Sequence, residues 1–185
     1  MSKELLSILF IPSLTGLFLV VVHAFFGQII LRRGIVFLDL AMAQFASLGY
    51  LSFEYLGHIK HIKIIANIPP QVISVISVLI PAILLVLLTD NETRKLLEGI
   101  IAMLYAFSFS LSVLIVENIP GGFEVIKETF LGSLVTLTKN DLKHLLLLYL
   151  PILIINLFFY KKYLHSQTRR SLDILFYFSL GLVVT

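Results

Sequence analysis

A carboxylate inside an apolar stretch is the feature of this 185-residue sequence most able to do chemistry. Asp39 stands among Gly34, Ile35, Val36, Phe37, Leu38 and Leu40. In hydrocarbon such a group costs several kcal/mol unless it is paired, hydrated or neutral, so it tends to mark an ion or substrate path. Arg33 lies a turn or so away and offers the competing assignment, an interfacial ion pair with no further role. Gln44 and Glu54 follow in the same run. On a continuous helix Asp39 and Gln44 point about 140° apart, so they share one cation only if the helix is broken. Gln44 also suits an interhelical hydrogen bond, and Glu54 reads as an interfacial carboxylate. His23 and Gln28 interrupt the preceding run.

Imidazole and carboxylate are the ligand types that suit zinc, manganese and iron(II), and amide oxygen is a weaker one. Asp39, Gln44 and His23 are therefore the candidate metal-contacting residues, with hydrogen-bonded packing as the alternative for His23. They do not reach four strong ligands, which argues against a permanent structural site. Weak, transient ligation is what conduction requires. His58 and His61 are three apart, but Lys60 and Lys63 beside them oppose a cation, so they read as solvated loop residues. No serine-histidine-aspartate, paired-carboxylate, phosphate-loop or dinucleotide pattern is present, and Cys is absent. The chain is thus expected to be no enzyme and to bind no cofactor of its own. Any energy source sits on a partner.

The elements that must position these residues follow from composition. Residues are 58% hydrophobic and 14% charged, with a mean hydropathy of +1.00. A water-facing surface needs roughly a quarter of its residues charged, so the solvent of this chain is largely lipid. The net charge of +3 forms no continuous basic stripe, which excludes a nucleic-acid role. A hydrocarbon core of about 30 Å takes about 20 apolar residues per helix. Five complete runs meet that need: Leu5 to Leu31, Gly34 to Leu56, Val72 to Thr89, Gly99 to Val116 and Leu142 to Tyr160. A partial sixth runs from Ser171 to Thr185.

The expected fold is all-α, a multispanning transmembrane bundle in a single domain, 1–185. Small residues Ala41, Ala43, Ala46, Ser47 and Gly49 allow close helix approach and make the second span central rather than lipid-facing. Between Phe123 and Leu137 apolar residues recur at three- and four-residue steps, which predicts an amphipathic or re-entrant helix at the external interface. If the spans alternate, every Arg falls on one side, with Lys95, Lys161 and Lys162. The positive-inside rule makes that side cytoplasmic and the amino terminus external.

Read as a string, Leu31-Arg-Arg-Gly-Ile-Val-Phe-Leu-Asp-Leu-Ala-Met-Ala-Gln-Phe-Ala-Ser-Leu-Gly49 resembles the second-span signature of the metal-importer permeases of ABC transporters. Glu98 to Tyr105, Gly121 to Val135 and Asp173 to Thr185 agree in order. The resemblance implies one half of a dimeric pore in a prokaryotic inner membrane. It also implies a cytoplasmic ATP-binding subunit, an external metal-binding protein, and zinc, manganese or iron(II) as cargo. Two departures stand out. Better-known branches carry His where Gln44 stands and Asp four residues earlier, whereas Asp39 is five earlier. The family also has a docking helix for the ATPase between its fifth and sixth spans, where this chain has only Lys161 to Arg170. Because the chain ends inside an apolar run and the family continues further, a carboxy-terminal portion is expected to be missing. The rival expectation is a degenerate or truncated membrane protein that does not transport and acts as an assembly partner. It would purify without an ATPase.

Overall fold

The computed structural model describes residues 3–60, 69–88, 96–124, 127, 138–165 and 170–184. Among them are six long helices and no strand. They are α1 (Lys3–Arg33), α2 (Leu38–Lys60), α3 (Pro70–Leu88), α4 (Leu97–Val116), α5 (Lys139–His165) and α6 (Arg170–Val184). By length and apolarity α1, α4 and α5 are each able to cross a membrane, while 72–88 and 172–184 form shorter apolar helices. The helix expected around 123–137 lies outside the described residues, apart from Phe123, Glu124 and Lys127.

Helix ends are set by local chemistry, and several depart from the apolar runs. The run expected from Gly34 opens with a turn instead. Gly34 adopts φ +68°, its N–H reaches the Leu31 carbonyl at 3.2 Å, and the Ile35 N–H reaches the Ile30 carbonyl at 3.3 Å. That double closure is the glycine stop of a helix, and the accompanying apolar contact is supplied by Ile30 and Ile35, both buried. Helix α2 therefore starts at Leu38, and at its other end continues through Gly57 to Lys60, where a loop was expected. Helix α5 starts before Leu142 because Thr138 and Asp141 form a reciprocal cap: the Thr138 N–H donates to Asp141 Oδ2 at 2.8 Å and the Asp141 N–H to Thr138 Oγ1 at 3.4 Å. It also runs on past Tyr160 to His165.

Helix α2 is the centre of the bundle. It packs chiefly on α3 and α4, and also on α6 and α1. Leu38, Ala41, Met42, Phe45, Ala46 and Leu51 are all buried along it. The small residues act as the sequence suggests. A Cβ at Gly49 would lie 3.0 Å from the Ile73 carbonyl and would collide with the Ser77 side chain, so α2 and α3 touch nearly backbone to backbone. Gly181 of α6 makes the matching approach to Val78 on α3. Phe26 and Ile29 of α1 meet Phe176 and Leu180 of α6 in the same core. Large apolar side chains such as Phe10, Val20, Met103, Phe107, Leu147 and Phe158 point outward. In a membrane that outward face costs nothing, because lipid is as apolar as the core.

Close packing at Gly49 makes a direct forecast. Gly49→Ala is expected to destabilise the bundle by about 1–3 kcal/mol through overpacking. Gly16→Ala, where an added Cβ meets nothing within 4 Å among the described residues, is expected to be neutral or stabilising by up to about 1 kcal/mol. Thermal unfolding in detergent, comparing the two variants, checks this.

Candidate functional site

The polar side chains collect where helix ends meet. The carboxy ends of α1 and α5 and the amino ends of α2, α4 and α6 gather at one end of the bundle, joined by three sets of contacts. The first is an ion pair: Arg33 Nη1 donates to Asp173 Oδ1 at 2.5 Å, with side chains only 11% and 8% exposed. The guanidinium also lies 4.8 Å from the Phe176 ring centre and 5.5 Å from that of Tyr163. The Tyr163 hydroxyl donates in turn to Asn156 Oδ1 at 2.9 Å, and Asn156 is fully buried. One cation thus joins α1, α5 and α6. Its position also suits the helix dipoles, since Arg33 ends α1 and Asp173 lies in the first turn of α6.

The second contact holds the start of α2. Glu98, in the first turn of α4, accepts the Phe37 N–H through Oε1 at 3.2 Å. A carboxylate from another helix therefore serves as the amino-terminal cap of α2, satisfying one of its orphan N–H groups. The third contact is His23 Nδ1 to Asp39 Oδ2 at 3.7 Å, with side chains 37% and 43% exposed. Asp39 lies in the first turn of α2, near the end of the bundle. Its other oxygen, Oδ1, is buried and has no hydrogen-bond partner among the described residues, and the same is true of Glu98 Oε2 and Ser47 Oγ.

Of the three residues chosen from sequence, the fold brings His23 and Asp39 together and sets Gln44 apart. Gln44 is buried and donates through Nε2 to Ser112 Oγ at 3.3 Å, and Ser112 donates to the Ser108 carbonyl at 2.9 Å. It is an interhelical hydrogen bond between α2 and α4. The alternative partner weighed for Asp39, Arg33, is engaged by Asp173 instead. Gln28 accepts from the Tyr160 hydroxyl at 3.4 Å. His58 ends up near the last turn of α2, and His61 lies outside the described residues.

Chemically, a histidine nitrogen and a carboxylate oxygen 3.7 Å apart are spaced much like two ligands of one ion. Ligand bonds of about 2.0–2.2 Å put tetrahedral neighbours about 3.4 Å apart. Among the described residues no group of three or more histidines, cysteines and acidic residues is able to hold a metal ion. Any cation stopping at His23 and Asp39 keeps water on its remaining positions.

Sequence reasoning missed the roles of Asp173, Glu98 and Ser112. A signal existed for the first two, since each is a lone carboxylate at the mouth of an apolar run. Nothing local signalled Ser112.

The model of the ABC 3 transport family matches residues 6–172. The chain belongs to the ABC 3 transport family. Neither the curated proteins nor the solved structures yield a match. As a member of the ABC 3 transport family the chain is a membrane permease component of an ABC transporter and a multi-pass membrane protein. Its membership implies an ATP-binding subunit as partner. The matched region begins in α1 and includes Arg33, the cap of α2 and the His23–Asp39 pair.

Burial separates the two ion pairs energetically. Arg33→Ala and Asp173→Ala are each expected to destabilise the protein by about 3–5 kcal/mol, because each strands a buried charge. A double-mutant cycle on His23→Ala and Asp39→Ala should return a coupling of about 0–1 kcal/mol, the value for exposed pairs. Denaturation of the four single variants and the His23/Asp39 double variant reads both.

Proposed function

We propose that this chain is the permease subunit of an importer of divalent metal ions, zinc, manganese or iron(II), driven by ATP hydrolysed on the partner subunit. The observation that carries the reading is the His23–Asp39 pair, an imidazole and a carboxylate at ligand spacing in a transporter permease. The likeness of Leu31 to Gly49 to the second-span signature of metal importers supports the same cargo. The ion is substrate here, and Asp39 with His23 offers it a brief electrostatic stop. Gln44 holds α2 against α4 and acts on the path only indirectly.

The remaining parts of the proposal follow from this role. All six helices cross or enter the bilayer, with five complete spans and a partial sixth. The Arg-rich end faces the cytoplasm and the amino terminus lies outside. Two copies form the pore, and an external metal-binding protein delivers the ion. The basic stretch from Lys161 to Arg170 receives the ATP-binding subunit. No catalytic step takes place on this chain.

Two experiments test the proposal. In proteoliposomes holding the chain and its ATP-binding subunit, Asp39→Asn is expected to lower uptake at limiting metal about tenfold, the effect of losing roughly 1.4 kcal/mol of charge interaction. Unchanged uptake in both Asp39→Asn and His23→Ala would remove the pair from the path. Since Cys is absent from the chain, single introduced cysteines report topology. His58→Cys should react with an impermeant thiol reagent from outside and Lys161→Cys from inside, and the reverse pattern would overturn the orientation.

A further inference from the structure

One face of α2 stays open while the rest of the helix is covered. From Ala41 to Leu51 every residue is buried except Ala43 and Tyr50. At 100° per residue these two share an arc of about 80° with Asp39, Ser47 and Glu54. Gln44, which bonds to α4, and Gly49, which meets α3, fall outside that arc on either side. The strip therefore has a half-buried carboxylate towards each end, with two small side chains and a tyrosine between them. Along the axis the carboxylates are about 22 Å apart. Asp39 has His23 beside it, whereas no described residue forms an ion pair with Glu54.

Ser47, midway along the strip, adds an independent observation. The residue is only 7% exposed, and its Oγ has no hydrogen-bond partner among the described residues. Ser52, Ser77 and Ser112 each donate to the carbonyl four residues earlier. Ser47 leaves that option unused. A buried hydroxyl without a partner is destabilising, and alanine would fill the same space without that cost.

We propose that Glu54 is a second cation-binding carboxylate and Ser47 a neutral relay between it and Asp39, so that one face of α2 carries three successive stops for a divalent cation. The inference rests on the transport reading for its direction: in the orientation proposed above the ion meets Glu54 first. Successive stops lie about 10–12 Å apart, too far for one ion to touch two of them. At Glu54 the ion has a single carboxylate and keeps water on its other positions, as the lack of a larger ligand group among the described residues requires. Such an oxygen-only site suits manganese(II) better than zinc. The Ser47 hydroxyl offers a lone pair without charge, so it receives the ion without trapping it.

The first experiment uses the full chain with its ATP-binding subunit in proteoliposomes and manganese(II) as cargo. Glu54→Gln is expected to raise KM about tenfold with kcat within about twofold, because it weakens capture and leaves later steps intact. Unchanged KM would overturn the role of Glu54. Ser47→Ala is expected to lower kcat about fivefold while the chain unfolds in detergent at the same or a higher temperature, since the hydroxyl has no partner to lose. A lower unfolding temperature together with a lower kcat would make Ser47 a packing residue and overturn the relay. A second readout needs no transport. Manganese(II) alone should broaden the spectrum of a nitroxide on Gly57→Cys, just past Glu54, and Glu54→Gln should remove most of that broadening. A nitroxide on Leu40→Cys, next to Asp39, should keep its broadening in Glu54→Gln. Broadening at Gly57→Cys that survives Glu54→Gln would overturn the site. If the native complex takes up no manganese while the broadening result holds, the failure belongs to the import reading and Glu54 stands as a cation site.

Discussion

A charged group without water must find its solvation in protein, and in this molecule that constraint is concentrated on one guanidinium. Arg33 has given up nearly all its contact with solvent. Its charge is answered by a carboxylate, which accepts from Nη1, and by two aromatic faces, drawn from two other helices. The arrangement obliges α1, α5 and α6 to end or begin at one level. Once that level is set, the short turn from Gly34 to Phe37 fixes where α2 starts, and Glu98 brings the start of α4 to the same place. The polar end of the bundle is thus a consequence of burying one cation well.

The rest of the bundle obeys the opposite economy. Its outer faces are apolar, and α2, which carries Asp39, Gln44 and Ser47, is inside. There Gln44 and the serines of α4 find one another, while leucine, isoleucine and phenylalanine cover the outside. Small residues make the inversion possible, because backbones that approach as closely as α2 and α3 at Gly49 gain dispersion contacts that need no hydrophobic drive. Side chains that would be liabilities at a lipid surface become the fasteners of the interior. A permease needs that pattern in any case, since a path through the bilayer has to be polar within and apolar without.

How far the sequence foretold this depended on the range of each interaction. The helical class and the central place of α2 follow from hydropathy and from Ala41, Ala46 and Gly49, which are local facts. The stop at Gly34 was also legible in principle, since glycine after a basic last turn is a helix-end pattern. It was hidden because Ile35, Val36 and Phe37 after it are apolar and read as part of the next run. That misreading put Asp39 more than a turn inside the span, where the structure has it in the first turn of α2. The pairings of Arg33 with Asp173 and of Glu98 with Phe37 join residues 140 and 61 positions apart. No periodicity reports contacts of that range. For His23 and Asp39 the residue types were correctly singled out, but their adjacency came from the turn geometry, and the same geometry pointed Gln44 elsewhere.

The separation of Arg33 from its partner bears on how the protein is made. Residues leave the ribosome at roughly 5–20 per second, so Arg33 is present for some 7–30 s before Asp173 exists. During that interval the guanidinium has no Asp173 to meet, and its charge is answered by water and headgroups at the interface. The cap on α2 is delayed in the same way, since Glu98 is synthesised 61 residues after Phe37. Biogenesis is therefore ordered from the carboxy-terminal side. The ends of α1 and α2 gain these polar contacts only once α4 and α6 have been made.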